Sequence, residues 1–145
     1  MTHPLSVTLA DADATLVLGR ELGRAAQAGQ VIALVGELGA GKTTLTRGLV
    51  RGLGYEGEVT SPTFSLVQEY LGGSLEVFHF DFYRVEDEHE LLDLGWDDYL
   101  ERGGLVIVEW PSLYPDLLPR NTRWLKLSHE GEGRLVVDLE SPFKG

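Results

Sequence analysis

Residues 31–44 constrain this chain more than any other stretch. Val31-Ile32-Ala33-Leu34-Val35 is an unbroken apolar run, mostly β-branched, which reads as a strand buried on both faces in a parallel sheet. Gly36-Glu37-Leu38-Gly39-Ala40-Gly41-Lys42-Thr43 follows at once and fits G-x-x-x-x-G-K-[ST], the phosphate-cradling P-loop. Leu45, Leu49, Val50 and Leu53 then recur at helical spacing, and Gly54 supplies a stop. Glycines at 39 and 41 let the loop take positive φ and aim backbone N–H groups at phosphate oxygens. The new helix adds its free N–H groups and the positive end of its dipole. Leu38, Gly39, Ala40, Gly41 and Thr44 are thereby candidate phosphate contacts. Lys42 can reach the β- and γ-phosphates as a mobile charge, and the Thr43 hydroxyl suits Mg²⁺. The buried strand before the motif and the amphipathic helix after it make nucleotide binding the expectation.

The length of 145 residues fits one domain, 1–145, with room for a real core. A hydrophobic fraction of 43% and three tryptophans exclude a disordered chain. With no cysteine, disulfides and thiolate metal sites are excluded. The first residues show no basic stretch leading into an apolar run, and no apolar run approaches the ~20 residues of a membrane span. A cytoplasmic protein without membrane attachment is therefore expected. The net charge of −11, with Lys42, Lys126 and Lys144 as the only lysines, disfavours direct grip on a nucleic acid and fits a partner with a basic surface. Oligomeric state is not legible at this level.

Leu5, Val7 and Leu9 alternate as in a short strand, and Asp11 or Asp13 can cap a following helix whose buried stripe is Leu16, Leu18, Leu22, Ala25 and Ala26. Gly19 and Gly23 weaken that helix, and Gly29 ends it. Residues 64–70 and 75–81, joined by Gly72-Gly73-Ser74, read as an antiparallel hairpin, so the sheet is mixed. Residues 86–94 read as an acidic helix with Leu91, Leu92 and Leu94 partly buried, stopping at Gly95, and 97–102 add a short helical turn. Leu105-Val106-Ile107-Val108 is a second buried strand, Pro111, Pro115 and Pro119 mark an irregular loop, and 124–128 and 134–140 form two further strands. The expected fold is α/β: a P-loop NTPase-like, three-layer arrangement with a mixed parallel/antiparallel sheet flanked by helices.

A P-loop site that turns over needs acids near the γ-phosphate, and strand ends form the ligand crevice of such a sheet. Asp81 and Glu109 each end an apolar strand, and each reads as a metal or water ligand or as a solvated carboxylate. Thr60-Ser61-Pro62-Thr63 reads equally as a γ-phosphate-sensing loop or as the cap of a strand. His79 shares the strand face of Asp81 and reads as a core or hydrogen-bonding residue before a catalyst. Trp110 can stack on a base or plug the core, and Arg84 and Arg134 can contact phosphate or pair with surface acids. The sole asparagine, Asn121, is not part of an Asn-Lys-x-Asp guanine reader, and no arginine-rich lid of the adenylate-kinase kind is visible.

Taken together, Gly36 to Thr44, Ser61-Pro62-Thr63-Phe64, His79-Phe80-Asp81-Phe82-Tyr83-Arg84 and Val108-Glu109-Trp110-Pro111 resemble, in order and spacing, the bacterial TsaE proteins. The resemblance spans almost the whole chain. It implies a P-loop fold that binds ATP with Mg²⁺, hydrolyses it weakly alone, and acts with a TsaD–TsaB pair that transfers a threonylcarbamoyl group to adenosine 37 of tRNA. By the same resemblance Lys42 cradles phosphate, Thr43 and Glu109 ligate magnesium, and Asp81 completes the metal or water site. Lys42, Asp81 and Glu109 are thus the implied catalytic set. Thr63 would belong to a switch-like loop, Arg134 would approach the nucleotide, and residues 12–15 would lie on the adenine side. Glu37 stands where aspartate is common in the family. A nucleotide-gated binding module with incidental hydrolysis, and more distantly a small-molecule kinase, are the competing readings.

Overall fold

The apolar run after Gln30 forms the middle of the sheet. In the computed structural model, which describes residues 5–37, 39–59 and 66–139, β2 (Val31–Gly36) pairs in parallel on both edges. Its neighbours are β5 (Leu105–Glu109) and β6 (Arg123–Glu130). Beyond β5 lies β4 (Val77–Asp81), also parallel, and then antiparallel β3 (Val67–Tyr70). Beyond β6 lie antiparallel β7 (Gly133–Leu139) and β1 (Ser6–Leu9). The seven strands run β1-β7-β6-β2-β5-β4-β3. The expected hairpin of 64–70 and 75–81 is present as β3 and β4, with β4 starting two residues later than expected and residues 64 and 65 lying outside the described residues, and the sheet is mixed as expected. Residues 60–63 lie outside the described residues.

Period-two alternation divides the core between the two faces. Ile32, Leu34, Val77, Leu105 and Ile107 face a core shared with Leu18, Leu45, Leu49 and Val50 of α1 (Ala12–Ala25) and α2 (Lys42–Gly52). Val31, Phe78, Phe80, Val106 and Val108 face the other way, against Leu91 of α3 (Glu88–Leu94) and Trp96 and Tyr99 of α4 (Trp96–Glu101). Helices on both sides of the sheet make the three layers. Edge-to-face aromatic pairs, Phe80 with Trp96 and Phe80 with Tyr99 among them, fill the second core.

Local chemistry sets the helix starts. Asp11 caps α1 by accepting from the Ala14 N–H at 2.9 Å, and Asp87 caps α3 in the same way from Glu90. That cap is why the acidic helix begins at Glu88 and not at residue 86. Two expectations about helix faces need correction. Ala25 is exposed, because α1 ends there and Ala26 is already extended, ahead of Gly29. Leu92 and Leu94 are exposed as well, since a helix of seven residues presents only Leu91 fully to the core.

Gly19 and Gly23 do more than weaken α1. They face Gly48 and Gly52 of α2, and the backbones meet there. A Cβ on Gly19 would lie 2.5 Å from the Leu45 carbonyl oxygen and 2.8 Å from the Gly48 Cα. Each helix thus spends helix propensity on close approach, which seats α1 beside the helix that the phosphate loop opens. Gly19→Ala is expected to lower the unfolding free energy by about 1–3 kcal/mol through overpacking. Helix propensity alone predicts a gain of roughly 0.5–1 kcal/mol. Urea denaturation reads the sign, and a gain would show that the two helices can separate without loss.

Candidate nucleotide site

Parallel pairing brings the ends of β2, β5 and β4 to one edge of the sheet. Leu34 lies beside Glu109, and Glu109 beside Asp81, so the last acids of β4 and β5 stand level with the start of the P-loop. Gly39 and Gly41 take φ values of 81° and 102°, in the left-handed region that suits glycine, and bend the chain from β2 into α2. Lys42 is the first residue of α2 and is only 7% exposed. Its Nζ donates to the Gly36 carbonyl at 2.7 Å and lies 4.5 Å from the centre of the Trp110 ring.

The charges at this edge act on one another. Burial lowers the Lys42 pKa, opposed by the nearby Glu109 and Asp81 carboxylates. Asp81 is raised above its ordinary value, first by burial and then by Glu109; the Tyr83 N–H, which it accepts at 3.1 Å, works the other way. Arg84 adds a partly exposed pairing to Asp81 at 3.4 Å. Burial also pushes Glu109 upward, yet its hydrogen bond with His79 and the charges of His79 and Lys42 outweigh that and hold it below the usual range. His79 Nε2 and Glu109 Oε2 are 2.7 Å apart, in a buried diagonal contact between β4 and β5.

Trp110 follows Glu109 with φ 57° and ψ 43°, the one non-glycine residue with positive φ among the described residues. A bulky side chain in that region stores about 1–3 kcal/mol of strain. The turn puts the indole over Lys42 and beside the Tyr83 ring, 5.1 Å between centres. Trp110 therefore neither plugs the core nor lies fully in solvent, at 38% exposed. On the other side of the loop, Arg134 at the start of β7 donates to the Gly39 carbonyl at 3.1 Å.

These groups line one cleft of about 430 Å³, a size typical of small-molecule sites. Asp11, Ala12 and Thr15 come from the start of α1, Glu132 and Arg134 from the β6–β7 side, and Asp81, Arg84, Glu109 and Trp110 from the β4–β5 side. Gly39, Gly41, Lys42, Thr43 and Thr44 lie between them. Of the residues expected at the site, Leu38 and Thr63 fall outside the described residues, and Ala40 is packed in the core beneath the loop. Arg84 and Trp110, each named from the sequence with a phosphate or base contact as one of two readings, line the cleft, whereas Asp11 and Glu132 are lining residues that sequence reasoning did not connect with a ligand. The signals for those two were an acid at the start of the first helix and an acid beside Gly133-Arg134. A second cleft of about 660 Å³, more apolar, shares Lys42 and Trp110 with the first and extends over Val35, Pro111, Leu113 and Lys126.

The donor set suits a hard cation that keeps water and phosphate among its ligands: two carboxylates and the Thr43 hydroxyl. Among the described residues no three His, Asp or Glu side chains are grouped to hold a metal by themselves. Magnesium bound jointly by protein and phosphates needs no such cage.

The family model for threonylcarbamoyl adenosine biosynthesis protein TsaE matches residues 9–136. A Nostoc protein called tRNA threonylcarbamoyladenosine biosynthesis protein TsaE is 43% identical over 140 residues, 94% of this chain and 85% of its own length. A Bacillus subtilis protein of the same name is 44% identical over 107 residues, 74% of this chain and 66% of its own, so the match spans about two thirds of that relative. Among solved structures, that of Bacillus subtilis YdiB superposes with a TM-score of 0.79 at 31% identity, covering 95% of this chain and 86% of that one.

A carboxyl whose pKa is raised by folding destabilises the fold wherever it is ionised. For Asp81 that penalty is full at neutral pH and vanishes as pH falls below the carboxylate range. Asp81→Asn removes it and leaves an oxygen to accept the Tyr83 N–H. The variant is expected to have a higher urea midpoint than wild type near pH 7, with the gain shrinking toward about pH 3. A lower midpoint near neutrality would show that the Arg84 pairing outweighs burial and the Glu109 charge.

Proposed function

Because this chain belongs to the TsaE family of threonylcarbamoyl adenosine biosynthesis proteins, we propose that it is a Mg²⁺-dependent ATPase required for threonylcarbamoylation of adenosine 37 in tRNA, acting with a TsaD–TsaB-like pair. The observation that carries this reading is the meeting of Lys42, Asp81 and Glu109 in the cleft that the P-loop opens onto. Lys42, whose Nζ donates to the Gly36 carbonyl at the base of the loop, would turn its charge to the phosphate oxygens of a bound nucleotide. The N–H groups at the start of α2 and the side chain of Lys42 then stabilise charge on the transferring phosphoryl group. Thr43, Asp81 and Glu109 would hold Mg²⁺, which would neutralise negative charge on the phosphates. Asp81 and Glu109 also orient the attacking water. That water forms a bond to the γ-phosphorus as the bond to the ADP oxygen breaks, and its proton leaves with inorganic phosphate.

Arg134, held on the loop through the Gly39 carbonyl, and the start of α1 border the nucleotide on the opposite side from the acids. Leu38, Ala40 and Thr44 of the same motif would add phosphate contacts, and the family resemblance assigns Thr63 to a switch-like loop. With a net charge of −11 the protein meets tRNA only indirectly, through its partners. Among the described residues no helix is long and apolar enough to cross a membrane. We take the chain to act as one domain in the cytoplasm, where tRNA is modified.

A second reading, an ATP-gated binding module with incidental hydrolysis, draws on the second cleft. Lys42 and Trp110 line both clefts, so moving Lys42 onto phosphate alters the wall that a partner would meet.

Phosphate release from ATP with Mg²⁺, with and without a TsaD–TsaB pair and tRNA, tests the first reading. Slow release that rises with the pair is the expected result. Lys42→Ala is expected to abolish binding or turnover, and Asp81→Ala or Glu109→Ala to cut turnover by about 10²–10⁴-fold with a smaller effect on nucleotide affinity. Normal turnover by Lys42→Ala would sink the ATPase reading. Equal partner affinity in ATP and ADP would sink the gated module.

A further inference from the structure

His79 is a buried polar residue that the hydrolysis described above does not use. It is 1% exposed and sits on β4 between Val77 and Asp81, on the sheet face that α2 covers. Its Cα partner across the ladder is Ile107, so its ring reaches Glu109 diagonally. Nε2 approaches Glu109 Oε2 to 2.7 Å, and since the ionised carboxylate only accepts, Nε2 is the donor. Nδ1 is buried and has no hydrogen-bond partner among the described residues. An imidazole kept there merely to fill space leaves one nitrogen unsatisfied, which an apolar side chain of similar volume avoids. The ring's one polar link among the described residues is therefore the reason to look for its role, and that link runs to a carboxylate at the mouth of the P-loop cleft.

We propose that His79 is a positioning residue: it holds Glu109 Oε2, sets the carboxylate's rotation, and presents Oε1 toward the divalent cation that accompanies the nucleotide. Glu109 ends its strand and is followed by the left-handed Trp110, so backbone pairing beyond that point does not orient it. The hydrogen bond supplies the missing constraint, as partners of metal-binding side chains do elsewhere. The inference rests on the Mg²⁺-dependent ATPase reading and adds a residue to it.

The test separates cation binding from nucleotide binding. Affinity for a fluorescent ATP analogue is measured across a Mg²⁺ titration and again in EDTA, for wild type, His79→Leu, His79→Asn and His79→Gln, with thermal melting as a check on folding. Gln carries an amide N–H at about the place of Nε2, whereas Asn is too short and Leu has no donor. The expected result is a Mg²⁺ midpoint raised about tenfold or more in His79→Leu and His79→Asn, with EDTA affinity unchanged, and recovery to within about threefold in His79→Gln. His79→Asn carries the test if the Leu variant does not fold. A wild-type midpoint in both Leu and Asn variants, or an equal loss in Gln and Asn, would overturn the positioning role and leave the ATPase reading intact. Absence of any Mg²⁺ dependence in wild type would overturn both, and the wild-type trace alone distinguishes that failure.

Discussion

Parallel pairing of β2 with strands on both of its edges is the constraint on which the rest depends. It aligns the C-terminal ends of β4, β5, β2 and β6 on one side of the sheet. The P-loop leaves from one of those ends, and Asp81 and Glu109, the carboxylates that reach the cleft, terminate two of the others. A slip of one residue between β4 and β5 would turn Asp81 or Glu109 to the opposite face, away from Lys42. The apolar alternation that buries Ile107 and Val77 on one face and Phe80 and Val108 on the other forbids that slip. Hydrophobic burial therefore sets the geometry of a polar site.

That site concentrates opposing charges in a partly desolvated cleft. Lys42, Asp81 and Glu109 each lose hydration, and the two carboxylates repel each other. Contacts around them offset part of the penalty: the Gly36 carbonyl for Lys42, the Tyr83 N–H and Arg84 for Asp81, and His79 for Glu109. A ligand carrying phosphate and a divalent cation would complete both sets of charges. Strain at Trp110 and two adjoining acids in one place are features that stability alone does not favour, and such conflicts gather where function is built.

The α1–α2 contact shows the same trade in the scaffold. Four small residues, Gly19, Gly23, Gly48 and Gly52, forgo helix propensity so that two backbones can touch. The gain is positional: the start of α1, with Asp11, Ala12 and Thr15, is brought to the rim of the cleft beside Arg134 and Gly41. A looser helix pair would leave that side of the cleft open.

Much of this was determined by the sequence alone, because the relevant signals are local. The strand–loop–helix of residues 31–53, the Asp11 cap, the β3–β4 hairpin and the strand-ending acids each depend on a few neighbouring residues. The unbroken apolar runs at 31–35 and 105–108 likewise announce strands covered on both faces. Only tertiary structure decided what lies far apart in the chain. Gly19 and Gly23 read as helix weaknesses until Gly48 and Gly52 stood opposite them. His79 shares a strand face with Asp81, yet its partner is Glu109, because the diagonal across β4 and β5 depends on a register that neither strand specifies by itself. Trp110 over Lys42 and Arg134 on the Gly39 carbonyl follow from a left-handed turn and from the packing of β7 beside β6. Backbone pattern is written in short-range chemistry; the orientation of a side chain toward a distant partner is set only when the core closes around both.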